Sequence, residues 1–169
     1  MSVQALQPDG SLATVERTLY TTRFGPMVTN IAGLDAFAWT PSVGFAMGDP
    51  NARNMRYLNH FVRIAGVRSV RDFEALLDEL QGIPWANTVA VDRSGEAFYA
   101  DITVAANVDD DKAVACGSQA GVAAFQAIGL PILDGSRSDC AWDNDPDAVV
   151  PGIFGKARLP RLFRDDYVS

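Results

Sequence analysis

The sequence predicts an α+β fold, and the pattern of apolar spacing carries that prediction. Up to Met47 the chain reads in extended style, with β-prone runs separated by turn residues. After Asp49 and Pro50 the apolar positions adopt a helical period. Around Thr88 the period returns to two, and a strand, a tight turn and a second strand follow.

Each element follows from its residues. Val3 to Leu6 leads into Pro8-Asp9-Gly10-Ser11, a turn sequence, and then a β-prone run from Thr14 to Thr22, which predicts a hairpin. Phe24-Gly25-Pro26 closes that run, and Met27 to Ile31 and Phe37 to Met47 continue extended, broken by Gly33 and Pro41. Asp49 reads as an N-cap with Pro50 at the first helical position. Met55, Leu58, Phe61, Val62 and Ala65 follow at helical spacing, with Gly66 as the stop. Ser69 opens a second helix, with Asp72 in place of the usual capping-box Glu or Gln. Val70, Phe73, Leu76, Leu77 and Leu80 form its buried stripe, and Gly82 is its expected end. Val89 and Val91 then alternate with small or polar residues, Asp92-Arg93-Ser94-Gly95 turns the chain, and Phe98 to Val104 returns. A short helix is expected near Ser118 to Ile128, ended by Gly129 and Pro131. The remainder, with Pro146, Pro151 and Pro160, reads as a loop-rich strap over a larger body. No domain boundary stands out in the sequence.

Composition narrows the function. The 169 residues carry 48% hydrophobic and 21% charged residues, as a globular chain does. A net charge of −7, with no basic stripe among the 14 Lys and Arg, argues against nucleic acid or an anionic membrane as partner. No apolar run reaches the ~20 residues a membrane span needs. Asp109 to Asp111 read as solvated surface. Asp143, Asp145 and Asp147 alternate as in a calcium loop, but Pro146 interrupts them and no Gly or bidentate Glu follows at the right spacing. No metal site or cofactor is therefore expected. Cys116 and Cys140 lack a Cys-X-X-Cys neighbour, which leaves a disulfide or two separate buried thiols.

No complete catalytic group is visible. His60 is the only histidine and sits at helical spacing beside Leu58 and Phe61, so it reads as a polar-face or satisfied interfacial residue rather than a general base. There is no Gly-X-Ser-X-Gly elbow and no Gly-rich phosphate loop. Neither cysteine has a histidine neighbour in sequence to activate it. Ser2 would become an N-terminal serine if Met1 were removed, but no histidine lies in the stretch that follows. It reads as an ordinary serine beside the initiator.

Several stretches resemble the penicillin acylase family of N-terminal-nucleophile (Ntn) hydrolases, in its acyl-homoserine-lactone acylase and aculeacin-type acylase branch. Leu80-Gln81-Gly82-Ile83-Pro84-Trp85-Ala86-Asn87-Thr88 is similar to the family's Gln-Gly-X-Pro-Trp-X-Asn-Thr motif, the most specific of them. Tyr20 to Val28 resembles its strand ending in aromatic-Gly-Pro, and Val91 to Tyr99 resembles the hairpin after the motif. Asp139-Cys140-Ala141-Trp142, Leu159 to Leu162 and Arg164 to Val168 resemble the approach to its catalytic asparagine.

The resemblance implies strands of the family's four-layer sandwich plus a helical insertion, as a partial domain. Residues 1–169 would correspond to the middle of the β subunit, with the nucleophilic serine and nearby histidine upstream and the asparagine motif downstream. The chain alone would then be catalytically silent, and its partners would be the remaining α and β subunit segments and an acyl-chain small molecule. The implied substrates are acyl-homoserine lactones, lipopeptides or β-lactams. Trp85, Ala86 and Phe61 match positions lining the family's acyl pocket. Cys116 and Cys140 match the cysteine pair of exported relatives, which implies a disulfide and a periplasmic or secreted location. The competing reading is a free-standing binding or scaffold module that keeps this piece of the fold without chemistry.

Overall fold

A computed structural model describes residues 1–30 and 37–165. These residues fall into two compact units, Met1–Asp49 and Pro50–Ser169. The division coincides with the change of apolar period at Asp49 and Pro50. Helices and strands both occur, as an α+β chain requires.

In the first unit β1 (Ser2–Leu6) and β2 (Leu12–Glu16) form the expected hairpin, in antiparallel register from Ser2 opposite Glu16 to Leu6 opposite Leu12. Asp9 shapes its turn by accepting hydrogen bonds from the Ser11 amide and hydroxyl. The β-prone run after Thr14 is broken in two: β2 stops at Glu16, and the chain resumes as β3 (Thr21–Thr22). β3 pairs with β4 (Gly25–Val28), and β4 with β5 (Phe45–Ala46). Gly25 begins β4 at φ 130°, and a Cβ there would lie 2.1 Å from the Met47 carbonyl oxygen. Ile31, the expected end of the first extended run, and the break at Gly33 lie outside the described residues.

The second unit is built on a helix packed against a sheet. The Asp49–Pro50 start is not used. Turns follow Pro50, and α1 (Arg56–Arg63) begins after Met55, without a side-chain cap. A single 3-10 turn carries α1 on to Gly66. α2 (Val70–Leu80) starts where the sequence places it, with the Ser69 hydroxyl accepting from the Asp72 amide. The Asp72 carboxylate reaches back to the Arg68 amide, one residue before the reciprocal capping-box partner.

β6 (Thr88–Val91), β7 (Ala97–Ala100) and β8 (Arg161–Arg164) form an antiparallel sheet with β7 in the centre. The β6–β7 hairpin agrees with its turn sequence, but β7 ends at Ala100 rather than Val104. The strap contributes β8, which its local sequence did not announce. Register decides which face is buried. Ala90, Phe98 and Phe163 are cross-strand neighbours on the side that packs against α2. Val89, Tyr99 and Leu162 form the opposite row, which is exposed. Val70 and Leu77 of α2 join Phe98, Ala100, Ile102 and Leu159 in the core, with Phe163 stacked on Phe98 at 4.6 Å between ring centres.

α3 (Asp110–Ala115) and α4 (Gln119–Ile128) complete the unit. α4 was anticipated, from its Ser118 cap to Gly129 in the left-handed conformation. α3 was not, because Asp109 to Asp111 read as a solvated surface. Asp109 is in fact its N-cap, accepting from the Lys112 amide, and Asp110 and Asp111 occupy the first turn, where carboxylates favour a helix N-terminus. Cys116 and Cys140 are joined in a disulfide, with Cα atoms 5.5 Å apart.

Candidate functional site

The turn between α2 and β6 is held by more side-chain to main-chain hydrogen bonds than a simple connection needs. Gln81, not Gly82, ends α2 in the left-handed conformation, at φ 37°, with its amide donating to the Leu77 carbonyl at 2.8 Å. Gly82 serves a different purpose. A Cβ there would come within 2.8 Å of the Arg56 carbonyl carbon and 2.9 Å of the Tyr57 amide, so glycine lets the turn lie on the first turn of α1. The Asn54 side chain donates to the Gly82 carbonyl at 2.9 Å. Arg56 donates to the Leu80 carbonyl at 3.0 Å and to that of Gln81 at 3.2 Å. Burial holds the Arg56 guanidinium below its ordinary pKa. The Gln81 carboxamide, fully buried, donates to the Phe154 carbonyl and accepts from the Val149 amide, both at 3.0 Å. Ile83 bridges to Thr103, and its carbonyl accepts from Val104 at 2.9 Å.

From this frame the chain presents Trp85. Its φ is 53°, a region that costs a bulky residue about 1–2 kcal/mol. Its side chain is 78% exposed, and Ala86 beside it is exposed too. Phe61 is on α1 and 65% exposed, with its ring edge-on to Tyr57 at 6.4 Å and to His60 at 6.1 Å. The turn and Phe61 thus share α1 as a base, through Arg56 and Tyr57. No ring contact joins Phe61 to Trp85 among the described residues. A cavity of about 490 Å³ lies elsewhere, between α1 and α2, with Val62, Val67, Asp72, Leu76 and Glu79 in its lining.

α1 is oriented in a way its apolar spacing did not reveal. His60 is its buried residue, only 2% exposed, while Met55, Leu58, Phe61 and Val62 face outward. The His60 ring packs on Phe73 of α2 at 5.7 Å, and its Nδ1 has no partner. Burial disfavours the imidazolium and lowers its pKa. His60 is thus interfacial rather than on a polar face, and its Nδ1 is left unsatisfied.

Two of the strap aspartates hold the strap's own main chain, and the third ties it to α3. Asp145 accepts from the Gly155 amide at 2.8 Å, Asp147 from the Ala157 amide at 2.9 Å, and Asp143 pairs with Lys112 at 2.6 Å. No cluster of His, Cys, Asp and Glu among the described residues could hold a metal ion. Sequence reasoning missed Asn54, Arg56 and the role of Gln81, because their partners are 24 to 73 residues away.

Comparison with known proteins identifies the framework. The family model described as penicillin amidase matches residues 3–169. The chain belongs to the penicillin amidase family. Within it, aculeacin-A acylase of Actinoplanes utahensis is 44% identical over 92% of this chain and 19% of its own length. The acyl-homoserine lactone acylase PvdQ of Pseudomonas savastanoi pv. phaseolicola is 39% identical over the whole chain and 21% of its own length. PvdQ of Pseudomonas fluorescens Pf-5 is 40% identical over the same shares. The chain therefore spans about a fifth of the length of these penicillin amidase relatives. Among the described residues no helix is long and apolar enough to cross a membrane.

Proposed function

We propose that this chain forms one wall of an acyl-chain site in an amide-cleaving acylase, with Trp85, Ala86 and Phe61 contacting the acyl group. The observation that carries the reading is Trp85. It is a large aromatic at positive φ, mostly exposed, presented by a turn that hydrogen bonds fix on several sides. Strain and exposed apolar surface both cost stability and persist where a ligand or partner uses them. The names of its relatives support the substrate class: an acyl-homoserine lactone or aculeacin A.

In this reading the remaining α and β subunit segments bring the nucleophile and cover the exposed faces of α1 and the β6–β7–β8 sheet. The sheet contributes to the family's four-layer sandwich. Export to the periplasm or medium fits the disulfide, which persists where the surroundings are oxidising.

The test combines the chain with those segments and follows hydrolysis of dodecanoyl- and hexanoyl-homoserine lactone. Assembly should give activity, and Trp85→Ala should change the ratio of kcat/KM between the two by roughly tenfold. A chain that does not associate with the segments, or an unchanged ratio, refutes the acyl-wall reading. The first outcome favours a free-standing binding module.

A further inference from the structure

Trp85 takes its direction from groups that come before it in the chain. Among the described residues it makes no hydrogen bond or ring contact of its own. Only Gly82, Ile83 and Pro84 separate it from Gln81. Proline fixes its own φ, so Trp85 rides on an arm of three residues that Gln81 holds at its start and the bonds of Gly82 to Asn54 and of Ile83 to Val104 hold along its length.

Gln81 is held at its amide, its carbonyl and the end of its side chain. Its amide is bonded to Leu77, its carbonyl to Arg56, and its side chain spans two main-chain groups of the strap, the Phe154 carbonyl and the Val149 amide. A carboxamide donates at one end and accepts at the other, which matches this pair of partners. Glutamate could serve only the amide, and methionine, of similar size, neither. The residue also sits at φ 37°, where glycine is the usual choice, while the glycine of this turn stands one position later. A glycine at this position would free the backbone and lose both strap bonds.

We propose that Gln81 is a positioning residue: it locks the end of α2 to the Val149–Phe154 strap and so sets the direction of Trp85 and the acyl length the site prefers. This rests on the acyl-wall reading above for its functional half only. The structural half stands on the hydrogen bonds.

Both halves can be measured. In the full 169-residue chain, backbone 15N order parameters of Trp85 and Ala86 should be near those of rigid backbone, about 0.85. Gln81→Met should bring them below about 0.6. Val70→Ala, a core truncation at the far end of α2, should lower stability and leave them unchanged. In the assembled acylase, Gln81→Met should shift the dodecanoyl-to-hexanoyl ratio of kcat/KM by at least about fivefold, mainly through KM. It should add nothing further to Trp85→Ala. Should Gln81→Met not fold, Gln81→Glu, which keeps an acceptor for Val149, takes its place with the same expectations. Rigid Trp85 and Ala86 amides in the variant overturn the proposal. If Trp85→Ala still shifts the ratio, the acyl-wall reading survives that result. If instead Trp85→Ala leaves the ratio unchanged, the acyl-wall reading fails, and the order parameters alone decide whether Gln81 positions Trp85.

Discussion

At the scale of single residues, Trp85 combines backbone strain with an exposed side chain, so its two contributions to stability can be separated. Trp85→Gly removes the penalty of positive φ and should stabilise the chain by about 1 kcal/mol, offset in part by a more flexible unfolded state. Trp85→Ala keeps that φ penalty and loses little burial, so it should change stability by less than about 0.5 kcal/mol. Urea midpoints at constant slope would show this, and a Gly variant less stable than the parent would refute it. His60 gives a pH signature with a definite sign. Burial lowers its folded pKa below the ordinary 6.5, so the unfolded chain binds the extra proton more readily. Its contribution is complete above pH 6.5 and is lost as pH falls through the folded value. Stability should therefore decline below roughly pH 6.5, and His60→Leu should flatten that decline. The carboxylates with lowered pKa, the half-buried Asp92 and Asp109 among them, act only further into acid. A sequence reader could see that Gly82 turns the chain and Pro84 stiffens the approach to Trp85. That Gln81 takes the left-handed turn was hidden, because only the contact of Gly82 with Arg56 shows why glycine is needed one position on.

At the scale of elements, local signals were readable and tertiary ones were not. Ser69, Ser118 and Gly129 mark helix ends through bonds within a few residues, and the structure uses all three. α1 shows the limit. Its apolar spacing defines a helix and an apolar face, but not which face the chain itself covers. The structure buries His60 and leaves Phe61 and Val62 outside. β8 was hidden for a related reason: it becomes a strand by pairing with β7, from far along the chain. The contact between α1 and the Gly82 turn yields a direct test. Gly82→Ala places a methyl against main-chain atoms that cannot move alone, so it should cost about 1–3 kcal/mol. Gly95→Ala is a useful contrast, since a Cβ there meets nothing within 4 Å and only its φ of 91° opposes the change. Thermal melts of both variants would show whether the Gly82 cost exceeds the backbone penalty alone.

At the scale of the whole molecule, the disulfide and the exposed apolar rows matter most. The Cys116–Cys140 bridge closes a segment of 24 residues, which in the chain-entropy model stabilises by about 3 kcal/mol. A thiol reagent added to the unfolded, unreduced chain should find no free thiol. Reduction should then lower the urea midpoint by the corresponding amount, and two titrating thiols would exclude the bridge. Val89, Tyr99 and Leu162 on the sheet, and Leu58, Phe61 and Val62 on α1, form apolar rows that are exposed among the described residues. The family was legible in the motif around Trp85 because its residues are contiguous. The covered and uncovered faces were not, since they depend on what else is packed against them.

The late arrival of β8 has a consequence in time. Arg161 forms ion pairs with Glu74 and Asp78, and its bond to Glu74 spans 87 residues. At about 5–20 residues per second, a ribosome needs roughly 4–17 s to make that stretch of chain. During that interval α2 and the β6–β7 hairpin can form, but Phe98 lacks the ring of Phe163 and one edge of β7 is bare. A growing chain therefore passes through a window of seconds in which its central strand can pair with the wrong edge. Nascent chains stalled before Arg161 should be cut rapidly by protease within β6 and β7, and chains extended through Arg164 should resist. Equal resistance before and after would show that the sheet does not wait for its last strand.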